Sequence, residues 1–332
     1  MLLKLIMNTI CNFSDIDIYL LYYLDIKTII RLSQITKDQY ILMSTQQFIK
    51  ELHLIKQMGI KSTIIEASMN NHISLIKWIE ESINEFNYDH NAINSIAEKG
   101  YINILDWFIG KTQYEFKYTE YAINYASRKG YIDVLEWFAQ LCSCTHNYEF
   151  KYDERAINWA AENGYINILE WFDKSRYEFK YTEYAIDYAS DNGHINILNW
   201  FDKSRYEFKY TVDAITWASN NEHISVLDWF DNSAYEFKYT ADAIDWASDE
   251  GNITVLDWFN KSNYEFKYTV NAINWASAEG HISVLEWFDK SPHEFKYTEY
   301  AINNAFKNGA RRRLQCNCNL IRSCEKMLKH FS

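Results

Sequence analysis

"YEFKYTEYAIDYASDNGHINILNWF", residues 177–201, decides the fold. Nearly the same words begin again at Tyr206, Tyr235 and Tyr264. The aromatic position that closes the phrase falls at Trp78, Trp107, Trp137, Trp171, Trp200, Trp229, Trp258 and Trp287, in steps of 29, 30, 34, 29, 29, 29 and 29 residues. Ala-Ile pairs beginning at Ala92, Ala122, Ala156, Ala185, Ala214, Ala243, Ala272 and Ala301 move in phase with them, so both halves of the unit repeat together. A fixed period of about 20–50 residues marks stacked supersecondary units.

Residues 269–288, "TVNAINWASAEGHISVLEWF", show how one unit is built. Thr269 suits an N-cap, because its hydroxyl accepts from an early helical amide. Ala272, Ile273 and Ala276 then share one face of a first helix, and alanines four apart let a neighbouring helix come close. Gly280 is a left-handed stop. Ile282, Val284, Leu285, Trp287 and Phe288 give a second helix a broad apolar face. The Tyr-Glu-Phe-Lys-Tyr link alternates aromatic and charged residues, as an extended segment does. Isolated helices below about 12–15 residues are marginal in water. Stacking supplies what each unit lacks, at roughly 1.5–3 kcal/mol per large apolar side chain buried. The phrase repeats because each copy is the packing partner of the next. The expected class is all-α, a helical-repeat solenoid.

Formal net charge is −12, which argues against nucleic acid as a general partner and suits a basic one. The cysteines Cys11, Cys142, Cys144, Cys316, Cys318 and Cys324 are irregularly spaced and read as reduced thiols of an intracellular protein. No apolar run approaches the roughly 18–20 residues of a membrane helix. The apolar start, "MLLKLIMNTICNF", is broken by Asn8 and lacks a cleavage site of small residues.

The unit Thr-x-x-Ala-Ile-x-Trp-Ala-Ser-x-x-Gly-His-Ile-x-Val-Leu-x-Trp-Phe resembles the ankyrin repeat over residues 60–309. Its centre is kept at Ala276, Ser277, Gly280 and His281. The Trp-Phe and Glu-Phe-Lys-Tyr dialect is similar to ankyrin repeat proteins of giant DNA viruses, which implies the cytoplasm of a host cell. The family's opening proline is missing, and the unit has 29 residues where the family has about 33. The shortage falls where that family builds a protruding hairpin, so stunted hairpins and a binding surface of helix faces are expected. Glu222 stands where glycine usually caps, at a cost of about 1 kcal/mol if left-handed, and a remodelled cap is one outcome. The step of 34 comes from extra residues in "AQLCSCTHN", read as a bulging loop.

Three regions follow: 1–59, 60–309 and 310–332. Residues 15–52 resemble an F-box, the helical module that docks onto the Skp1 adaptor of cullin ubiquitin ligases. The resemblance rests on Leu20, Leu21, Leu24, Ile29, Ile30, Leu32, Ile35 and Tyr40, together with Asp25 and Lys37. It implies a substrate receptor; the other reading is a helical cap over the first repeat. The tail after Gly309 is basic, and Arg311–Arg313 reads as a solvated cap or as a nuclear address.

Catalytic signatures are missing: there is no Gly-rich phosphate loop, Gly-x-Ser-x-Gly elbow or His-Glu-x-x-His pair. Cys142, Cys144 and His146 provide three potential ligands where a structural zinc site takes four. We expect no enzyme activity, metal or cofactor. His72, His194, His223 and His281 share one slot with Tyr101, Tyr131 and Tyr165, which suggests a hydrogen bond between repeats. Trp159, Trp217, Trp246 and Trp275 read as core. The Lys117-to-Lys296 and Glu115-to-Glu294 stripes read as a solvated face.

What varies between copies points to binding. One set lies just before the capping position: Arg128 and Lys129, Glu162 and Asn163, Asp191 and Asn192, Asn220 and Asn221, Asp249 and Glu250, Ala278 and Glu279. The other lies two residues after the threonine position that opens each first helix: Tyr121, Arg155, Tyr184, Asp213, Asp242 and Asn271. The family resemblance places the first set in a concave groove that contacts partners. The expected function is a monomeric protein–protein interaction scaffold. Its partner is a basic or polar protein segment, with Skp1 added if the F-box resemblance holds.

Overall fold

The computed structural model describes residues 60–82, 86–111, 114–144 and 148–305. The F-box-like positions Leu20 to Tyr40, the Arg311–Arg313 run, His146 and the Cys144 side chain lie outside them. Among the described residues 16 α-helices are complete, a further helical run covers 299–305, and there is no strand. None of these helices is long and apolar enough to cross a membrane.

The helices fall into two compact units. The first holds described residues up to 126 together with 133–152. It contains α1 (Ile60–Met69), α2 (Ile73–Ser82), α3 (His90–Lys99), α4 (Ile102–Ile109), and most of α5 (Glu120–Arg128) and α6 (Ile132–Cys144). The second holds 127–132 together with the described residues from 153 onward. Its helices are α7 (Arg155–Glu162), α8 (Ile166–Lys174), α9 (Tyr184–Asp191), α10 (Ile195–Lys203), α11 (Asp213–Asn220), α12 (Ile224–Asp231), α13 (Asp242–Asp249), α14 (Ile253–Lys261), α15 (Val270–Glu279) and α16 (Ile282–Lys290).

In the second unit each first helix packs on the first helix of the next repeat: α7 on α9, α9 on α11, α11 on α13 and α13 on α15. Alanine makes this possible: Ala185, Ala189, Ala214, Ala218, Ala243 and Ala247 have no exposed surface. The second helices are held farther apart by aromatic rings. Phe201, Phe230, Phe259 and Phe288 are buried, whereas the tryptophan before each is half-buried. Phe179 stacks on Trp200 at 5.4 Å and on Tyr206 at 4.0 Å, and Phe208 and Phe237 repeat the arrangement one and two units on.

Polar clasps lock one repeat to the next. Asn158 donates through Nδ2 to Thr182 Oγ1 at 2.8 Å and accepts the Thr182 amide at 3.1 Å. Asn274 holds Thr298 in the same way. At Asp187 both bonds run toward the carboxylate, from the Thr211 amide at 2.9 Å and the Thr211 hydroxyl at 2.8 Å. The link tyrosines Tyr181, Tyr210, Tyr239 and Tyr268 donate to the carbonyls of Glu207, Glu236, Glu265 and Glu294. The lysine stripe is exposed or part-buried, and Lys117, Lys180, Lys209 and Lys296 pair with the glutamate of their own link, Lys209 with Glu207 at 3.7 Å. Lys151, Lys209, Lys238, Lys267 and Lys296 sit over the tyrosine of the preceding link, Lys238 over Tyr210 at 4.3 Å.

The capping expectations are met at Thr269, whose hydroxyl accepts the Asn271 amide at 3.1 Å, and at Gly280, with φ 81°. The shared His/Tyr slot joins repeats by ring packing as well as by hydrogen bonding. A Cβ on Gly193 would stand 2.8 Å from the His223 ring, and one on Gly251 2.7 Å from His281. His194 lies over Gly164 in the same way and bonds the Glu162 carbonyl, while burial holds its pKa down.

Two expectations need correction. The Glu222 cap is not remodelled: Glu222 is left-handed at φ 60°. Its Cβ occupies the space that glycine clears for a ring, and the facing residue is the smaller Asn252, which donates to the Asn220 carbonyl at 2.7 Å. The residues behind the 34-residue step do not simply bulge. They lengthen α6 to 13 residues, because Ala139, Gln140 and Leu141 continue the helix with good formers.

Candidate interaction face

The variable positions and one aromatic row share a helical face. Each first helix of the second unit carries an aromatic residue at the same place: Trp159, Tyr188, Trp217, Trp246 and Trp275. One turn earlier stand Arg155, Tyr184, Asp213, Asp242 and Asn271. Three residues later stand Glu162, Asp191, Asn220, Asp249 and Ala278. Residues at i−4, i and i+3 are neighbours on a helix surface.

The core reading of these tryptophans holds only in part: all are part-buried, as are the tryptophans of the Trp-Phe pairs. The stripe that packs against neighbouring helices is made by the flanking residues, such as Ile215 and Ala218 around Trp217, which have no exposed surface. The aromatic position lies at the edge of that stripe and opens onto the variable residues.

Printed contacts show how far the flanking positions reach. Arg155 lies 5.7 Å from the Trp159 ring, and Arg128, the last residue of α5, lies 5.5 Å from the same ring. Tyr184, which is 44% exposed, stacks on Tyr188 at 5.3 Å. Tyr188 in turn lies parallel to Trp217, 5.6 Å away at 10°. Burial raises the Tyr188 pKa, and Tyr184, Glu162, Asp187 and Asp191 push it the same way. Asp249 is raised by burial first, then by Glu279 and Glu250, against a lowering by His281. The face is therefore cationic around Trp159 and anionic from Tyr188 to Glu279.

Not every variable residue is available to a partner. Asn163 and Asn192 turn their side-chain amides back onto the carbonyls of Trp159 and Tyr188, at 2.8 and 2.9 Å. Asn221 bridges to Asp191, at 2.7 Å to the carboxylate. These three serve helix ends and repeat contacts. Lys129, Glu250 and Glu279 are exposed. Tyr121 belongs to the first unit, where its ring lies 5.3 Å from Tyr125. The aromatic row escaped the sequence reading, although its signal was present: one bulky residue always falls between two variable positions at helical spacing.

A cleft of about 600 Å³ in the first unit is lined by His90, Glu115, Lys117, Tyr118 and Glu149 among others. Lys117 is paired there with Glu115 at 3.3 Å, and Lys151 lies over Tyr118 at 5.4 Å. Cys142 stands within 3.9 Å of the Tyr118 hydroxyl. Among the described residues no three His, Cys, Asp or Glu side chains gather as a metal site.

No protein-family model matches the chain, and no curated protein matches it. Among solved structures, the pentatricopeptide repeat protein PPR10 from maize is similar at 11% identity and a TM-score of 0.36. That match covers 92% of this chain and 49% of the other, so the chain spans about half the length of that protein.

Proposed function

We propose that the chain is a non-catalytic interaction scaffold that holds a polypeptide segment along the first-helix face of its second unit. The observation that carries this reading is the part-buried aromatic row, flanked by residues that change from repeat to repeat while the packing residues stay constant. Aromatic side chains at the centre of a face, with polar residues at its rim, are the pattern of protein interfaces. The ankyrin resemblance supports the same surface. The acidic stretch from Tyr184 to Glu279 favours a basic or polar segment.

The test is affinity capture with the full chain and with a variant carrying Tyr184→Ser, Trp217→Ser and Trp246→Ser. Partners held by the full chain and lost by the folded variant support the proposal. Partners retained by the variant place recognition elsewhere and refute it.

A further inference from the structure

The chain carries its own example of a cation held on this face. Around Trp159 two guanidinium groups are in place, Arg128 at 5.5 Å and Arg155 at 5.7 Å, the second also ion-paired with Asp153. The same two positions act on the ring one repeat later, where they are Glu162 and Tyr184 beside Tyr188. One repeat further the ring is Trp217, and the two positions are Asp191 and Asp213. Two positive groups around an indole have become two negative ones. Helices α9, α11, α13 and α15 contain no lysine or arginine. Among the described residues no ion pair engages Asp191 or Asp213, although Asp191 accepts a hydrogen bond from Asn221 Nδ2 at 2.7 Å.

We propose that Trp217, between Asp191 and Asp213, is the seat for an arginine side chain of a partner polypeptide. This rests on the interaction-face reading and names what that face recognises. An indole face attracts a cation, and carboxylates make charge-assisted hydrogen bonds to it. Arginine suits the seat better than lysine: Tyr188 already lies parallel to one face of Trp217 at 5.6 Å, and a planar guanidinium can lie against the rest of the ring while its N–H groups reach outward to the carboxylates. Trp246 has one carboxylate at the same two positions, Asp242 with Asn220, and is the weaker seat one repeat along.

The test pans a random peptide library on phage against the full chain and measures selected peptides against variants. D191N and D213N install residues that other repeats carry at those positions, Asn220 and Asn271. D191R copies Arg128 and fills the seat from within. Circular dichroism confirms folding. Selected peptides are expected to share an arginine. Its removal, the paired D191N/D213N change or D191R should each weaken binding about tenfold or more. D202N, on a second-helix end, should leave binding unchanged. Peptides that need Tyr184 or Trp246 but lack arginine, or that keep full affinity for D191R, overturn the arginine seat and leave the interaction face standing. If no peptide is selected, or none responds to any first-helix change, both readings fall.

Discussion

Asp187→Asn should make the protein more stable at neutral pH, although it removes an ionised hydrogen-bond partner. Asp187 has no exposed surface and accepts two bonds from Thr211. Burial lifts its pKa from 3.8 to about 6, against the lowering by those two bonds, and Asp213 and Glu183 add to the rise. The folded state therefore holds this proton more tightly than the unfolded chain, and stability falls as pH rises between those two values. At ~1.4 kcal/mol per pH unit, the rise from 3.8 to about 6 is worth on the order of 3 kcal/mol at neutral pH. Asparagine cannot ionise, and it already makes the same clasp at Asn158–Thr182 and Asn274–Thr298. The expected gain at about pH 7.5 is roughly 1–3 kcal/mol, shrinking toward zero near about pH 4. Urea unfolding followed by tryptophan fluorescence at both pH values measures it. A less stable variant at neutral pH, or a difference that ignores pH, refutes the reasoning.

Gly193→Ala should cost about 1–2 kcal/mol, since φ is +71° and the new Cβ would meet the His223 ring at 2.8 Å. Adding His223→Asn should recover part of that loss in thermal unfolding, as the Glu222–Asn252 pair does naturally. Glu222→Gly should gain about 1 kcal/mol by relieving a left-handed glutamate, read from the urea midpoint. Tyr210→Phe removes the hydroxyl bond to the Glu236 carbonyl and should cost about 1 kcal/mol in the same assay.

The stacked helical repeat was legible because its signals are local and repeated. Thr269 and Gly280 mark the ends of a first helix by chemistry that needs no tertiary context. The alanine pairs name the close contact before any coordinates. Relations between repeats were harder to read. Glu222 looked like a broken cap until Asn252, 30 residues on, was seen to vacate the space a ring would fill. Trp217 was placed in the core because helical periodicity assigns a face without saying where the buried stripe ends. The "AQLC" segment was read as a loop because a change of step reports extra length, and only packing reveals whether the helix absorbs it. Of the candidate face, Arg128, Asp191 and Asp213 were found as variable points. What they surround became clear only when Arg128 and Arg155 appeared over Trp159.

The central claim is that the Trp-Phe layer closes between repeats while the first-helix face stays open. Hydroxyl-radical footprinting of the free full chain tests it most directly. Phe201, Phe230, Phe259 and Phe288, buried in the structure, should resist oxidation, whereas Trp217, Trp246 and Trp275 should be modified readily. Phenylalanines oxidised as fast as those tryptophans, or tryptophans shielded in the free chain, would contradict the account.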